Sequence, residues 1–414
     1  MTRQSDVCHQ VKSVLSKILL CRTAALKGRR YHCSECGKDL NLYNSCADRH
    51  CPQCAGARRA RWLDKTAKLL LPGVHYFQVV FTLPADLSSL ALGNRRELYD
   101  LLFTSAWLAL NMELQRTGKF QPAAMMVLHT WNQELDHHPH VHAIVPGGGP
   151  ALTGRRWLGS RHPRQRNRRK PYLTDRDALA DAFQSHYLKG LRRLLRQDRL
   201  RIALNQAAFK SELRREAWLK RLEAQRWNVH VEGPPKATSR PEHVLKYLAQ
   251  YMTGGPVSSS RMIRSSEHDV TFWARSRDRR NKSRPFTLKG HEFVRRWAMH
   301  ILPKGFTKTR HYGGYHTAKR ADYLERCRAL LPQGEAVDES PSVGEPFDAD
   351  APGRRCVHCG HEMTLLVDEP RPSWKQVFAV RVYETPDTYC PLLHLTHGAT
   401  SRGPPEPTGS SLTR

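Results

Sequence analysis

The sequence lacks the features of a membrane-spanning or exported protein. No run of about 18 apolar residues occurs in its 414 residues, which argues against a transmembrane helix. The first 24 residues carry a short apolar stretch without the layout of a signal peptide, and their periodicity predicts an amphipathic helix. No internal repeat is visible. We therefore expect a cytoplasmic protein that does not act on a membrane.

Acidic residues are also scarce. The chain has 38 Asp and Glu against 67 Lys and Arg, which leaves a net charge of +29. Such an excess calls for a polyanionic partner, and nucleic acid is favoured over a membrane surface or generic basicity in a chain of this size. Because 39% of the residues are hydrophobic, the chain can still build a sizeable core, with room for two or three domains.

Four cysteines form two close pairs near the N-terminus. Cys33 and Cys36 make one Cys-x-x-Cys pair, Cys51 and Cys54 make the other, and fourteen residues separate them. Each pair predicts a tight turn with two thiolates facing one ion, and two such turns complete a tetrahedral site. We therefore predict one structural zinc ion held by these four thiolates. A redox dithiol would not need two pairs.

Other cysteines leave alternatives open. Cys46 and His50 lie between the pairs and could replace a ligand or join a second zinc ion, although we expect Cys46 to be a packed thiol. Cys356 and Cys359 form a third pair far along the chain, which could bind a second zinc ion together with Cys390 or a histidine such as His361.

Two basic segments are candidates for DNA contact. The predicted helix 57–71 follows the first cysteine region and carries Arg58, Arg59 and Arg61. The predicted loop 152–172 carries eight Lys or Arg residues with no acidic residue among them, which favours a nucleic-acid contact over a merely solvated loop. Within this run we assign DNA binding to Arg166, Arg168, Arg169 and Lys170.

A histidine string, His-Pro-His-Val-His at 138–142, carries the strongest chemical signal. His140 and His142 flank Val141 on a predicted strand, so both imidazoles lie on one face. His129 lies on the preceding predicted strand, and a turn near 134–136 would place it beside the other two. Three neutral imidazoles leave positions open for a phosphate oxygen, so we predict a catalytic divalent ion, magnesium or manganese, at these three residues.

Two tyrosines lie four residues apart on a predicted helix. Tyr247 and Tyr251 therefore share a face, a pattern that is often only core packing. Beside a metal site, a zinc module and a strongly basic chain, we interpret them as catalytic nucleophiles. A metal ion that polarises a phosphate makes attack by a phenol feasible.

These motifs together resemble a known family. HTWNQELDHHPHVHAIVPGGG resembles the His-hydrophobic-His segment of HUH endonucleases, and NSCADRHCPQC resembles the zinc-binding domain of IS91-type rolling-circle transposases. YLAQYMTGGPVSSSRMI and GHEFVRRWAMHILPKGFTKTRHYGGY are similar to that family's tyrosine helix and C-terminal signature. The resemblance spans about residues 10–330.

The resemblance implies an α+β fold: an antiparallel, Rep- or relaxase-like sheet flanked by helices and preceded by a small zinc-binding domain. Resemblance and composition together predict four segments. They are a zinc- and DNA-binding domain (1–72), a tyrosine nuclease domain (73–256), a basic C-terminal segment (257–332), and an acidic, Pro-rich linker followed by a largely disordered tail with a Cys-x-x-Cys knuckle (333–414). Predicted strands at 74–84, 123–131, 140–148 and 226–234 fit such a sheet.

The resemblance also implies an activity. One tyrosine would cleave a single DNA strand at an element end and become joined to its 5′ phosphate, and the other would act in strand transfer. The implied partners are single-stranded DNA at transposon ends, target DNA and the host replication machinery, in a bacterial cytoplasm. A plasmid replication initiator or conjugative relaxase would share this chemistry, and a non-catalytic zinc-dependent DNA-binding protein is the third alternative.

Overall fold

The computed structural model describes residues 8–161, 172–203, 207–209, 211–233, 255–275, 282–331 and 354–384. Its contacts form two compact units, one from Met1–Gly56 with Ser342–Arg414 and the other from Ala57–Pro341. Among the described residues, no helix has both the length and the apolar character needed to cross a membrane.

The helices and strands are numbered in chain order over the described residues. The helices are α1 (His9–Leu19), α2 (Ala55–Ala67), α3 (Ser88–Gly93), α4 (Arg95–Gly118), α5 (Arg176–Arg196), α6 (Glu212–Ala224), α7 (Gly290–Ala298), α8 (Arg320–Leu330) and α9 (Trp374–Glu384). The strands are β1 (Gly28–His32), β2 (Asp39–Tyr43), β3 (Tyr76–Thr82), β4 (Ala123–Trp131), β5 (His137–Pro146), β6 (Gly148–Pro150), β7 (Trp157–Gly159), β8 (Asn228–Glu232), β9 (Met262–Ser265), β10 (Asp269–Arg275), β11 (Ser283–Lys289), β12 (Thr309–Gly313) and β13 (Thr364–Asp368).

A five-stranded antiparallel sheet forms the centre of the larger unit. Its strand order is β12-β4-β5-β3-β8, so β5 has a neighbour on each side. The predicted α+β class and the predicted antiparallel pairing of 123–131 with 140–148 are both confirmed.

One face of this sheet forms the main core. Alternate residues of β5, Val141, Ala143 and Val145, are fully buried in a cluster with side chains of α4 and α5. The start of α5 is fixed by Asp175, whose carboxylate accepts hydrogen bonds of 2.9 Å from the amides of Asp177 and Ala178. Helix packing on this face leaves the opposite face of β5 to the histidines.

The opposite face is only partly filled by apolar residues. Met125 and Ile144 belong to a small cluster against which Trp62 and Leu70 pack. The sequence placed a domain boundary at residue 72, whereas the contacts group residues from Ala57 onward with the sheet. Trp62 explains the difference, because its side chain is part of this apolar cluster.

The segment from 257 to 332 contributes to the sheet and also supports the turn between β4 and β5. Its strand β12 pairs with β4, so part of the predicted C-terminal segment completes the central sheet. Strands β9, β10 and β11 form a separate three-stranded sheet, in which Phe272 packs against Leu135 of the turn. Arg296 of α7 contacts Asp136 at 2.7 Å, which ties the same turn to a helix.

The smaller unit combines the described residues 8–56 with residues 354–384. Its sheet has the order β13-β1-β2, with β13 antiparallel to β1. Val377 of α9 packs in a cluster with Leu20 and Cys21. Residues 354–384, which we assigned to a linker and tail, therefore form part of the N-terminal domain. Strand pairing between distant segments leaves no local signal in the sequence.

Candidate metal centres

Three histidines converge on the open face of the central sheet. His129 and His140 are direct partners across the β4–β5 pair, and His142 follows two residues later on the same face. One ring nitrogen from each of the three lies within 4.8 Å of the others. The structure thus brings together all three histidines predicted from the sequence.

The hydrogen bond of His140 leaves one ring nitrogen for another ligand. Its Nδ1 donates to the backbone oxygen of His138 at 2.7 Å, because a carbonyl can only accept. In the neutral ring, Nε2 then carries the lone pair. Metal-binding histidines are held in this way, with the second ring N–H donated to an oxygen.

Gln78 of β3 holds His142 from the side. Its Nε2 lies 2.8 Å from Nδ1 of His142, and its Oε1 has no hydrogen-bond partner among the described residues. Because the oxygen and nitrogen of a side-chain amide occupy nearly the same space, a rotation of the Gln78 amide by 180° would place Oε1 against Nδ1 of His142. In that orientation Gln78 would accept the Nδ1 proton and leave Nε2 of His142 for a metal ion.

Burial keeps these imidazoles neutral. Burial lowers the pKa of His142 to about 4, with a further contribution from the charge of Lys308. Burial and the neighbouring His142 lower the pKa of His140 well below 6.5. Neutral imidazole is the form that binds metal ions, so the rings are in the required state at neutral pH.

His137, the residue before the histidine string, has a structural role instead. Its Nδ1 lies 2.9 Å from Oγ of Ser88 and its Nε2 lies 2.7 Å from the hydroxyl of Tyr99. Both ring nitrogens are therefore occupied, and burial lowers its pKa to about 3. His138 contributes its backbone oxygen to His140. Among the described residues, the group of nitrogens that could hold an ion comes from His129, His140 and His142, without His138.

An aromatic ring and a cation lie beside the three histidines. Trp131 stacks on His129 with ring centroids 4.6 Å apart. The ammonium of Lys308 lies 5.2 Å from the centre of the Trp131 ring. This side of the site therefore holds a positive charge against an aromatic ring.

The donor set fits a divalent ion. Three imidazoles on one side of an ion leave its other positions open, and nitrogen ligands suit manganese and later metals better than magnesium. His129, His140 and His142 would hold such an ion, with Gln78 and the His138 carbonyl fixing the ring orientations.

The cysteines form two clusters rather than the single site that we predicted. Cys51 and Cys54 lie with Cys21 and Cys46, and Sγ of Cys54 is 3.6 Å from Sγ of both Cys21 and Cys46. The amide of Cys46 points at Sγ of Cys21 at 3.4 Å, which favours a thiolate there. Cys46 is therefore a member of a four-thiol cluster, not a merely packed thiol.

Cys33 and Cys36 belong to the second cluster. Their partners are Cys356 and Cys359, with Sγ distances of 3.4 Å from Cys33 to Cys359 and 3.6 Å from Cys36 to Cys356. The assignment of Cys33, Cys36, Cys51 and Cys54 to one ion is thus corrected, because strand β13 brings the distant pair onto β1.

The sequence prediction missed the role of Cys21 and the pairing of the two knuckles. Cys21 stands alone after α1, so spacing gave no reason to include it. The pairing of the knuckles did leave a signal in the sequence. Cys33-x-x-Cys36 and Cys356-x-x-Cys359 are each followed by Gly, whereas Cys54 is followed by Ala. The two Gly-terminated pairs are the ones that the structure brings together.

Several predicted site residues lie outside the described part of the chain. They are Tyr247, Tyr251, Arg166, Arg168, Arg169 and Lys170, together with Cys390. Arg58, Arg59 and Arg61 lie on α2, where Arg61 is exposed and the other two are half-buried.

Two family models match the chain. A model described as "Transposase zinc-binding domain" matches residues 1–83, and a model described as "Putative transposase" matches residues 123–322. The first range contains all four cysteines of the Cys21 cluster. The second contains the three clustered histidines and both tyrosines.

Two curated proteins match over most of the chain. "Putative transposase y4qJ" of Sinorhizobium fredii is 33% identical over 350 residues, covering 82% of this chain and 81% of the relative. "Transposase for insertion sequence element IS801" of Pseudomonas savastanoi pv. phaseolicola is 28% identical over 354 residues, covering 84% of this chain and 82% of the relative. No solved structure matches the chain significantly.

Proposed function

This chain belongs to the IS91-type family of transposases with an N-terminal zinc-binding domain, and from that premise we propose that it cleaves and transfers single DNA strands through a phosphotyrosine intermediate. The observation that supports this proposal is the convergence of His129, His140 and His142. The substrates are single-stranded element ends and target DNA.

The three histidines are suited to hold the scissile phosphate in place through a bound ion. An ion at this position would draw charge from a phosphate oxygen and stabilise the transition state. The chain's own contribution is to fix His140 and His142 as neutral imidazoles by short hydrogen bonds and burial, so that little reorganisation is needed when DNA binds.

Tyr247 and Tyr251 are the proposed nucleophiles. The phenolic oxygen attacks phosphorus and loses its proton, and a Tyr–phosphate bond forms as the bond to the 3′ oxygen breaks. The leaving 3′ oxygen gains a proton, so the products are a 5′ phosphotyrosine and a free 3′ hydroxyl. Host replication would extend this hydroxyl, and the second tyrosine would act in strand transfer.

Lys308 is proposed to bind the DNA strand beside the cleaved bond. Its ammonium lies 5.2 Å from the centre of the Trp131 ring, which itself stacks on His129. The positive charge therefore lies beside the histidine site, where it can attract the phosphate backbone.

The test is covalent capture of DNA. A single-stranded oligonucleotide from the element's end, labelled on its 3′ side, is incubated with the protein and manganese or magnesium. We expect a labelled protein band after denaturation, with stronger labelling in manganese. The double change Tyr247→Phe with Tyr251→Phe removes the band, and each single change shows which tyrosine attacks first.

Tyr43→Phe serves as the control, because Tyr43 lies on β2 in the other compact unit. It should label like the unaltered protein. If the correct DNA end gives no adduct, or if the double tyrosine variant still forms one, the proposed chemistry is wrong.

A further inference from the structure

We propose that Cys33, Cys36, Cys356 and Cys359 bind a second zinc ion, which fastens the C-terminal segment to the N-terminal domain. The family model for the zinc-binding domain ends at residue 83, and the transposase model ends at residue 322. Cys356 and Cys359 lie beyond both ranges. The Cys21 cluster lies entirely within the first range, so it accounts for the zinc-binding domain without them.

The sulfur positions fit a tetrahedral zinc site. Four sulfurs at about 2.3 Å from zinc lie about 3.8 Å from one another along each edge of the tetrahedron. The two contacts between the pairs, at 3.4 and 3.6 Å, are close to this edge, and all four sulfurs lie within 4.8 Å of one another. A disulfide would need about 2.05 Å, so these contacts do not describe one.

Both pairs are built as the same backbone knuckle. The amide of Cys33 donates to the oxygen of Lys38 at 2.9 Å, and the amide of Gly37 donates to the oxygen of Cys33 at 2.9 Å. Gly37 has a φ of +66°, which favours glycine.

The second pair repeats this pattern at the same offsets. The amide of Cys356 donates to the oxygen of His361 at 2.7 Å, and Gly360 donates to the oxygen of Cys356 at 2.9 Å, with a φ of +75° at Gly360. Two matching knuckles that turn four thiols to one point form the usual frame of a structural zinc site.

The surrounding contacts hold the two knuckles together. Cys33 and Cys356 are buried in one cluster with Tyr31 and Met363. Strand β13 pairs with β1 from Arg29↔Asp368 to His32↔Thr364. Beyond the strand, Lys27 contacts Glu369 at 2.7 Å. The cluster is therefore the end of a continuous interface between the two segments, not a chance approach of four thiols.

The two pairs of ligands in this site lie far apart in the sequence. Cys36 and Cys356 are 320 residues apart, so the second pair of ligands is synthesised long after the first. The C-terminal segment thus closes the N-terminal domain, and zinc stabilises the closed form by binding only when both knuckles are present.

The first test is the zinc content of the purified full-length protein, measured by elemental analysis per mole of chain. Dialysis against a weak chelator first removes any zinc ion bound by the three histidines. We then expect two zinc ions per chain, one in each cysteine cluster. Cys356→Ser with Cys359→Ser should retain one. Cys8→Ser is the matched control, because Cys8 is exposed and belongs to neither cluster, and it should retain two.

A conservative change protects this test against misfolding. Cys359 is exposed, so Cys359→His can place an alternative ligand there and should keep the second ion. Cobalt substitution gives an independent reading: the intact protein should show thiolate-to-cobalt absorption for two sites, and the double serine variant about half of it.

The second test measures whether zinc holds the C-terminal segment to the N-terminal domain. A protease site is inserted between residues 340 and 345, and the chain is cut after purification. The C-terminal fragment should stay with the rest of the zinc-loaded protein and separate from it after strong chelation. In the double serine variant it should be retained at least about tenfold less well without chelation.

Three results would overturn the proposal. These are one zinc ion per unaltered chain, an unchanged count in the double serine variant, or cysteines that resist alkylation in the native protein until a reductant is added. The last result would mean a disulfide in place of the metal ion. None of these measurements depends on DNA cleavage, so they are independent of the proposed tyrosine chemistry.

Discussion

His129 and His140 occupy directly opposed positions on β4 and β5, with ring centroids 5.4 Å apart. This register depends on the turn between the strands. Oδ1 of Asn132 accepts the amides of Glu134 at 2.9 Å and Asp136 at 2.8 Å. A shift of one residue in the pairing of β5 with β4 would turn His140 and His142 to the core face of the sheet. The turn therefore determines whether the three-histidine site forms.

The first prediction concerns the three-histidine cluster. His140→Ala with His142→Ala removes two of three imidazoles and should lower manganese affinity by more than the roughly 10–100-fold expected for loss of an outer-shell partner. Metal-dependent adduct formation should be lost while DNA binding remains. Calorimetric manganese titration and the labelled-DNA assay measure the two effects.

His230→Ala is the control for that experiment. His230 lies on β8 of the same sheet, and its side chain is exposed. Cleavage that persists in the double histidine variant would move the metal site elsewhere in the chain.

The second prediction separates the role of Gln78 from simple packing. Gln78→Leu keeps most of the volume but cannot accept the Nδ1 proton of His142, so manganese affinity should fall about 10–100-fold. Gln78→Glu supplies a carboxylate acceptor and should bind manganese at least as well as the unaltered protein. Equal losses in both variants would show that Gln78 does not orient His142 through an acceptor oxygen.

The third prediction concerns Lys308. Lys308→Gln should weaken binding of single-stranded DNA and reduce the slope of log affinity against log salt by about 0.7, the value for one phosphate contact on a single strand. The loss should not depend on sequence, because a phosphate contact does not read bases. Fluorescence anisotropy across a salt series measures the slope. Lys304→Gln, an exposed lysine nearby in sequence, should leave it nearly unchanged.

Local patterns allowed much of this site to be predicted. The His-x-His alternation predicted a shared face, and the β4–β5 hairpin predicted the position of His129, because both depend on near neighbours in the chain. The partners of these histidines were not predicted. Gln78 reaches His142 from β3, and Lys308 reaches Trp131 from the segment before β12, through pairings that no local pattern records.

The cysteines show the same limit more sharply. Close spacing suggested that Cys33, Cys36, Cys51 and Cys54 share one ion, yet each pair has its partners elsewhere. Spacing predicts a knuckle well because a knuckle is local. It does not predict which two knuckles meet, because that depends on the long-range pairing of β1 with β13.

His300 gives a final prediction, on the dependence of stability on pH. Its Nδ1 lies 3.1 Å from Oγ1 of Thr130, and its Nε2 donates to the oxygen of Leu135 at 3.1 Å, so it fixes the turn that sets the histidine register. Burial lowers its pKa to about 4. Among the charged groups around it, Arg95 lowers the pKa further and Asp136 raises it. His137 is a second buried imidazole nearby, whose own pKa His300 helps to lower.

Because the folded-state pKa of His300 lies below the unfolded value of about 6.5, protons bind the unfolded chain more readily. The contribution of His300 to stability is therefore complete above pH 6.5 and is lost as the pH falls towards 4, by about 2 kcal/mol between pH 7 and pH 5. His300→Gln keeps a donor for Leu135 but cannot titrate, so its free energy of unfolding should fall less than that of the unaltered protein over this range. Urea unfolding followed by tryptophan fluorescence at both pH values measures the difference. The exposed His230→Gln should behave like the unaltered protein, and an identical pH dependence in His300→Gln would show that His300 is not a buried neutral group.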